Sequence, residues 1–585
     1  MPYIFVKDFR AGMDRRRMRL TAPEGSLWTI ENAHLSRGAE IDKAKAFVEV
    51  YALPTEDSFG LAKLPGGDFT VFGSRSDPGI PSGVAYQQLK HPDDPLGTAI
   101  EMVAVESWDL FNGKFYVSAR YADGTVHHFY DGVWVDDWYE GLVRNSMTTN
   151  DDIAEHIRAF IDANANFTAT RNGSVVTVTG PINEDYTVAT IVANGEGNSA
   201  NDQAATATET RAESSTEGKQ YEIDFAGTVE TDDEYTVTIT REGGSVEPDF
   251  GRAGRPDPGA KYVKNTTGKM NALGGSIMWH SGVNLPADWH EDTTGAGFKN
   301  LANEASGSEE LLAMAEYYNS VAIFSRQNIQ IWLLDADPDV SSKTQVIQNT
   351  GTIASRSVTE FGSNDVIYLD DSGVRSLRSR DSSNAAHIDD IGTPVDDYIQ
   401  TLIEGAADIS HACGVVDPKD GRYMLAIGTD IVVFTHFPSA KISAWSTYSP
   451  GFTVTDWAID GVNKIVYCRG DDDKIYALGG TGGQTYSETD VVTVETPYFD
   501  AGDPVREKGW ESIDIALEGE WKVEAGFDPN STEVVHVATI SSHTYRMHKI
   551  PMPANSTHCF LKMTHSGAGR ARVGHLVLRY QKTED

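Results

Sequence analysis

Residues 320–335 read SVAIFSRQNIQIWLLD. β-Branched and aromatic side chains lie on both sides of the polar break Ser325-Arg326-Gln327-Asn328, the pattern of two short antiparallel strands joined by a tight turn. Three further hairpins of this form follow: NDVIYLDDSGVRSLRS from Asn364, DGRYMLAIGTDIVVFTHF from Asp420 and NKIVYCRGDDDKIYALGG from Asn463. The four starts are 44, 56 and 43 residues apart, close to the roughly 40–50-residue repeat of propeller blades. Ala444-Trp445 and Asp456-Trp457 supply bulky side chains suited to wedge between neighbouring sheets. The spacing predicts a β-propeller, in which radial stacking leaves only short strand edges.

Toward the N-terminus the same grammar continues. Lys114 to Tyr121 and Val126 to Val135 flank Asp123-Gly124, a strong hairpin signal, and a second Asp-Gly stands at Asp131-Gly132. Residues 142–250 break the rhythm. Thr149-Asn150-Asp151-Asp152 resembles a capping box with Asp in place of Glu, and Ile153, Ile157, Phe160 and Ile161 recur at helical spacing. One helix over about 152–163, followed by strand-like runs near 175–179, 188–192 and 235–240, predicts a small α+β domain inserted into the propeller. Within it, residues 195–219 carry no large apolar side chain, so a disordered loop is expected there. The last hundred residues (TDVVTVETPYF, WESIDIAL, WKVEAGF, HCFLKMTH, VGHLVLRY) read as strands of a terminal sandwich or of a closing blade. The expected organisation is a basic N-terminal segment with first strands at 1–50, propeller at 51–141, the insert at 142–250, propeller again at 251–484 and a C-terminal β region at 485–585.

The 585 residues hold 86 Asp and Glu against 48 Lys and Arg, a formal charge of −38. That balance opposes any general affinity for nucleic acid or anionic membrane. The charge is unevenly placed: residues 1–50 carry a net +2 and residues 541–585 a net +5, whereas residues 151–250 alone carry −15. Acidic side chains in the middle serve solubility on solvated faces, or line a surface past which a polyanion slides without sticking. Cys413, Cys468 and Cys559 are odd in number and far apart, which gives no disulfide framework and fits a reducing compartment. Residues 1–20 contain six basic side chains and no apolar core, unlike a secretory leader, and no apolar run approaches membrane-spanning length.

Catalytic motifs are missing from the sequence: no GxSxG, HExxH, P-loop or strand-to-helix GxGxxG occurs, nor the repeated SxDxGxxW of propeller glycosidases. Asp335, Asp337 and Asp339 begin like a calcium loop, but Val340 and Val346 stand where Gly and Glu are needed. Asp471-Asp472-Asp473 reads as a solvated hairpin turn. His127 and His128 alternate across a strand and so cannot share one ion, and His543 and His548 read as ordinary surface residues. No enzyme, metal or cofactor is expected.

The opening FRAGMDRRRM (9–18) with ENAHLSRGAEIDK (31–43), and the hairpins MAEYYNSVAIFSRQNIQIWLLD (314–335) and GTIASRSVTEFGSNDVIYLDDSGVRSL (351–377), resemble the tail nozzle proteins, also called tail tubular protein B, of short-tailed bacteriophages. The likeness is one of motif style over about 270–480, with the insert similar in position and type to that family's platform region. The resemblance implies a virion structural protein assembled in the host cytoplasm: a homo-oligomeric ring, a hexamer, docked below the tail tubular A-like adaptor ring at the portal. DNA passes through its acidic lumen without specific binding, and tail fibres are further partners. Arg10, Arg15, Arg16, Arg17 and Arg19 are then candidates for an assembly interface with an acidic neighbour. The alternative is a propeller that binds or depolymerises host carbohydrate as a tail component, although the short parallel β-helix repeats usual in tail spikes are not present.

Overall fold

The computed structural model describes residues 2–582 except 56–57, 65, 77, 92–93, 95–98, 136–138, 145–148, 163–166, 181, 183–184, 194–203, 213, 215, 230–233, 243–259, 290–293, 303–308, 339, 363–364, 380–385 and 545–549. The fold is mainly β, a β-propeller plan with an inserted α+β domain and a terminal β-sandwich. The chain divides into two compact units. One comprises residues 1–88, 312–333 and 343–585, the other residues 89–311 and 334–342.

In the first unit the blade-like sheets follow chain order. Phe59–Lys63, Phe69–Gly73 and Val84–Gln88 form one sheet, and Leu311–Tyr317, Ser320–Ser325, Asn328–Leu333 and Ser342–Gln348 form the next in this unit. Thr359–Glu360, Asp365–Asp370, Gly373–Ser379 and Ala386–Asp389 follow, then Cys413–Val416, Arg422–Ile427, Asp430–Phe437 and Ile442–Tyr448. The last sheet joins Val454–Asp460, Ile465–Gly470 and Lys474–Leu478 to Phe47–Ala52. The predicted hairpins are the two middle strands of each sheet: they begin at Ser320, Asp365, Arg422 and Ile465, within two residues of the expected starts. Asn364 itself lies outside the described residues.

Every residue of Arg422–Ile427 is buried, because both faces of this middle strand are covered. Tyr423, Leu425 and Ile427 pack with Ile367, Leu369 and Val374 of the preceding sheet. Met424 and Ala426 point the other way, onto Val454, Val466 and Cys468 of the following one. Each large aliphatic side chain so placed contributes about 1.5–3 kcal/mol relative to exposure. Trp445 and Trp457 wedge as expected: the indole N–H of Trp445 donates to Ile391 O at 2.8 Å, and that of Trp457 to Cys413 O at 3.2 Å.

Of the two alternatives for the C-terminal strands, sandwich or closing blade, the structure has the sandwich; Phe47–Ala52 supplies the fourth strand of the last blade-like sheet, pairing with Lys474–Leu478. The C-terminal strands build the sandwich together with the N-terminal ones. One sheet holds Ala33–Leu35, Ile41–Lys43, Arg572–Lys582, Lys508–Glu518 and Ile550–Ser556, with Tyr3–Val6 paired to Arg572–Lys582. The other holds Thr29–Glu31, Val492–Glu495, Phe560–His565, Trp521–Gly526 and Val535–Ile540, and it continues into the sheet ending at Ile442–Tyr448 through Glu31 beside Thr447. Ile30, Leu35, Val494, Ile513, Trp521, Met563 and Leu578 form the shared core. Strands from residues 3–43 and from residues 492–582 thus share one core.

The second unit contains two more blade-like sheets: Met102–Phe111, Lys114–Tyr121, Val126–Tyr130 and Val133–Trp134, then Tyr262–Thr266, Lys269–Gly274, Ile277–His280 and Gly297–Asn300. They share a core of Phe111, Tyr116, Val263, Met270, Trp279 and Trp289. Gly124 takes φ +90° in the Asp123-Gly124 turn, a conformation open to glycine. Between these sheets sits the insert, beginning at Tyr139 rather than 142. Its helix spans Asn150–Asp162. Half of the capping box forms: Asp152 N donates to Thr149 Oγ1 at 3.2 Å, while the Asp152 carboxylate accepts from the Thr149 hydroxyl, at 2.7 Å, in place of the Thr149 backbone N–H. Ile153, Ile157 and Ile161 bury against Val176, Val178, Ile223 and Phe225. The Phe160 side chain is outside the described residues.

The expected loop 195–219 is also corrected in part. Residues 195–203, 213 and 215 lie outside the described residues, but Ala204–Arg211 is a strand paired with Gln220–Ala226. Alternating Ala and β-branched Thr suit an edge strand, and the partner's Tyr221, Ile223 and Phe225 supply the apolar face. A second helix that was not anticipated, Asp396–Gly405, buries Ile399 beside the sheet ending at Ala386–Asp389.

Candidate functional site

The five arginines of the N-terminal segment differ in what they bond: Arg10, Arg16 and Arg17 are exposed and Arg15 and Arg19 half-buried. Arg15 Nε donates to Trp28 O at 3.0 Å, and its guanidinium lies 5.3 Å from the Trp28 ring and 4.9 Å from that of Tyr398. Arg19 donates twice to Thr496 O, pairs with Glu495 at 3.2 Å and stacks 3.8 Å from the Phe560 ring centre. These two staple the segment to the sandwich and to the helix Asp396–Gly405. Arg10 pairs with Asp8 at 2.7 Å and Arg16 with Asp14 at 2.5 Å, each two residues away. Arg17 is exposed and makes no hydrogen bond or ion pair among the described residues. At the other end, Arg570 and Arg572 both reach Asp42, at 2.9 and 3.3 Å, and Arg579 pairs with Asp514.

The other motifs singled out from the sequence are internally engaged. His128 Nε2 lies 2.9 Å from Ala260 O, whereas His127 Nε2 meets His91 Nε2 at 3.1 Å, so the two imidazoles do take opposite faces. His543 Nδ1 accepts from Leu517 N; His548 and Asp339 lie outside the described residues. The triple-Asp turn is no free carboxylate cluster: Asp471 accepts from Thr453 N, Asp472 from the Tyr476 hydroxyl and Asp473 from Arg469. Among the described residues, no group of three or more His, Cys, Asp or Glu is arranged to hold a metal, and no helix is long and apolar enough to cross a membrane.

A cleft that sequence reasoning missed lies in the first unit, where the turn 417–422 of one blade-like sheet, the turn at Lys464 of the next and the sandwich strand Ala33–Leu35 come together. It is a small concavity open to solvent, bordered by His34, Lys45, Lys419, Arg422, Tyr448 and Lys464, with Asp417 and Asp420. The local sequence Asp417-Pro418-Lys419-Asp420-Gly421-Arg422 builds its rim. Asp417 Oδ1 accepts from Lys419 N at 2.8 Å, Gly421 N donates to Asp417 O at 2.8 Å, and Gly421 takes φ +66°. Arg422 is only 7% exposed; it pairs with Asp420 at 2.7 Å and donates to Leu35 O at 3.4 Å, and its Nε is buried with no hydrogen-bond partner. The amines of Lys45, Lys419 and Lys464 make no hydrogen bond or ion pair among the described residues.

Electrostatics follow from this crowding. Burial, then the neighbouring Lys419, pushes Lys45 below the usual lysine range, with Asp420 and Asp417 opposing. Burial, with Arg422 and Lys45 adding to it, holds His34 well below the ordinary histidine value, so it is neutral and shares a 2.7 Å hydrogen bond with the Tyr448 hydroxyl. Burial raises Asp417. The signal for the cleft was present only as scattered lysines 45, 419 and 464, which nothing local in the chain connects.

No protein-family model and no curated protein matches the chain. Among solved structures, a chain of the mitotic checkpoint complex is similar at 11% identity over 65% of this chain and 83% of that one, with a TM-score of 0.26. A putative 6-phosphogluconolactonase from Bacteroides uniformis is similar at 10% identity, covering 75% and 93% of the two chains, with a TM-score of 0.25. The Malassezia sympodialis allergen Mala s 1 is similar at 11% identity over 41% and 82%, again at 0.25. Likenesses of this degree carry no functional argument.

Proposed function

We propose that the protein is a virion structural component, a ring-forming bacteriophage tail nozzle that docks below the adaptor ring and offers an acidic conduit for genome retention and ejection. The observation that carries this reading is the architecture. An α+β domain with its own core interrupts a β-propeller plan, and both chain ends are woven into one sandwich, so the two termini are tied down together. The interrupted propeller is the arrangement the resemblance in the sequence implies.

Charge supports the same role. In the insert, Glu222 and Asp224 alternate with buried Tyr221, Ile223 and Phe225, so both exposed carboxylates share the face of that strand turned away from the helix. An acidic face of that kind forms no counterion-releasing contacts with duplex DNA, which carries about one charge per 1.7 Å. The role is mechanical, with no bond made or broken. Electron microscopy and mass measurement of the purified chain test it: closed rings, six copies each, are expected, and a stable monomer absent from virions would refute it.

A further inference from the structure

We propose that the cleft at the Asp417–Arg422 turn binds a phosphate-class oxyanion, a role independent of the ring reading above. Three lysine amines and a guanidinium border a single concavity. Of its two carboxylates, Asp420 is already paired with Arg422, and Asp417 accepts amides of its own turn. Asp417 and Asp420 stand beside Lys45, yet neither forms an ion pair with Lys45, Lys419 or Lys464 among the described residues. Besides its burial, Lys45 feels the like charge of Lys419 and of Arg422.

Arg422 gives the second, independent sign. It is more than nine-tenths buried, and its Nε donor has no acceptor among the described residues. A buried donor without a partner is costly, and native structures rarely leave one without a water or ligand to meet it. A planar guanidinium beside several mobile ammonium groups is the donor set that recognises tetrahedral, multiply charged oxygen acids. The neutral His34–Tyr448 pair forms a polar wall that adds no charge of its own. The shared chemistry is the phosphate group, whether free or carried by a nucleotide.

Calorimetry and thermal unfolding of the full chain against sodium pyrophosphate, at constant ionic strength with sodium chloride as control, test the assignment. A saturable, one-site signal with a rise in melting temperature is expected. Lys45→Met and Lys464→Ser are each expected to weaken binding about three- to tenfold, and the triple variant with Lys419→Ser by about a hundredfold or more. Lys419 and Lys464 are exposed, so circular dichroism of their double variant should match the parent, and that variant keeps the test valid if Lys45→Met fails to fold. Competition by ADP at equal strength assigns the site to nucleotide phosphates, and pyrophosphate alone assigns it to free anions. The proposal is overturned if no saturable signal exists, if the triple variant binds as the parent does, or if only duplex DNA or an acidic peptide titrates these lysines.

Discussion

In the segment 10–19, four of the five arginines bond carboxylates or carbonyls or stack on aromatic rings, whereas Lys45, Lys419 and Lys464 around the Asp417–Arg422 turn make no hydrogen bond or ion pair among the described residues. Both regions are basic islands in a strongly acidic chain, and a count of charges does not tell them apart. Side-chain chemistry does. A guanidinium accepts several partners in one plane and stacks on rings, so Arg15 and Arg19 become structural ties. A lysine amine is a compact, well-hydrated charge that stays in solvent unless something specific calls it in. The first island uses up its charge within the fold, while the second holds it ready.

The sharpest way to break that contrast is to truncate a tie. Arg19→Ala removes two hydrogen bonds to Thr496 O, the Glu495 pair and the contact with Phe560. It is expected to destabilise the chain by about 2–3 kcal/mol, read as a lower urea midpoint. A loss near zero would mean that the segment is held from elsewhere. The next effect is pH dependence at the cleft wall. The folded value of His34 is depressed by burial below its ordinary 6.5, so its stabilising contribution is present above the unfolded value and is lost as pH falls through that value toward the folded one. The loss is about 1.4 kcal/mol per pH unit over that window. His34→Asn should flatten this part of the stability profile between about pH 6.5 and the folded value, as urea titrations at several pH values would show.

The propeller was legible because its signal is local: each hairpin carries its own β-branched strands and turn, and the structure begins them within two residues of Ser320, Asn364, Asp420 and Asn463. The insert's helix was legible for the same reason, through Thr149, Asp152 and the isoleucines. The sandwich was not, because Thr29–Glu31 pairs with Val492–Glu495 across some 460 residues, and no local pattern encodes such a partner. Ala204–Arg211 was missed because its apolar face belongs to the strand beside it. The cleft failed for both reasons at once, since lysines 45, 419 and 464 sit in three turns that only the fold assembles. The arginine segment was found, but its inward ties at Arg15 and Arg19 depend on Tyr398, Thr496 and Phe560, far along the chain.

Smaller effects sharpen the comparison. Lys464→Ser should leave the urea midpoint unchanged, because the amine is exposed and has no hydrogen bond or ion pair to lose among the described residues. A clear destabilisation would place Lys464 among the structural ties. Arg17→Glu should likewise leave the midpoint unaltered, since its side chain is exposed and unpartnered among the described residues, while Arg15→Glu should unfold the segment through the lost Trp28 and Tyr398 contacts. This difference isolates assembly from folding. If the segment docks on an acidic neighbour, Arg17→Glu lowers the fraction of chain in rings at fixed concentration without moving the midpoint, and added salt weakens the parent rings in the same direction. Ring yield equal to the parent would confine the arginines to the intramolecular work of Arg15 and Arg19.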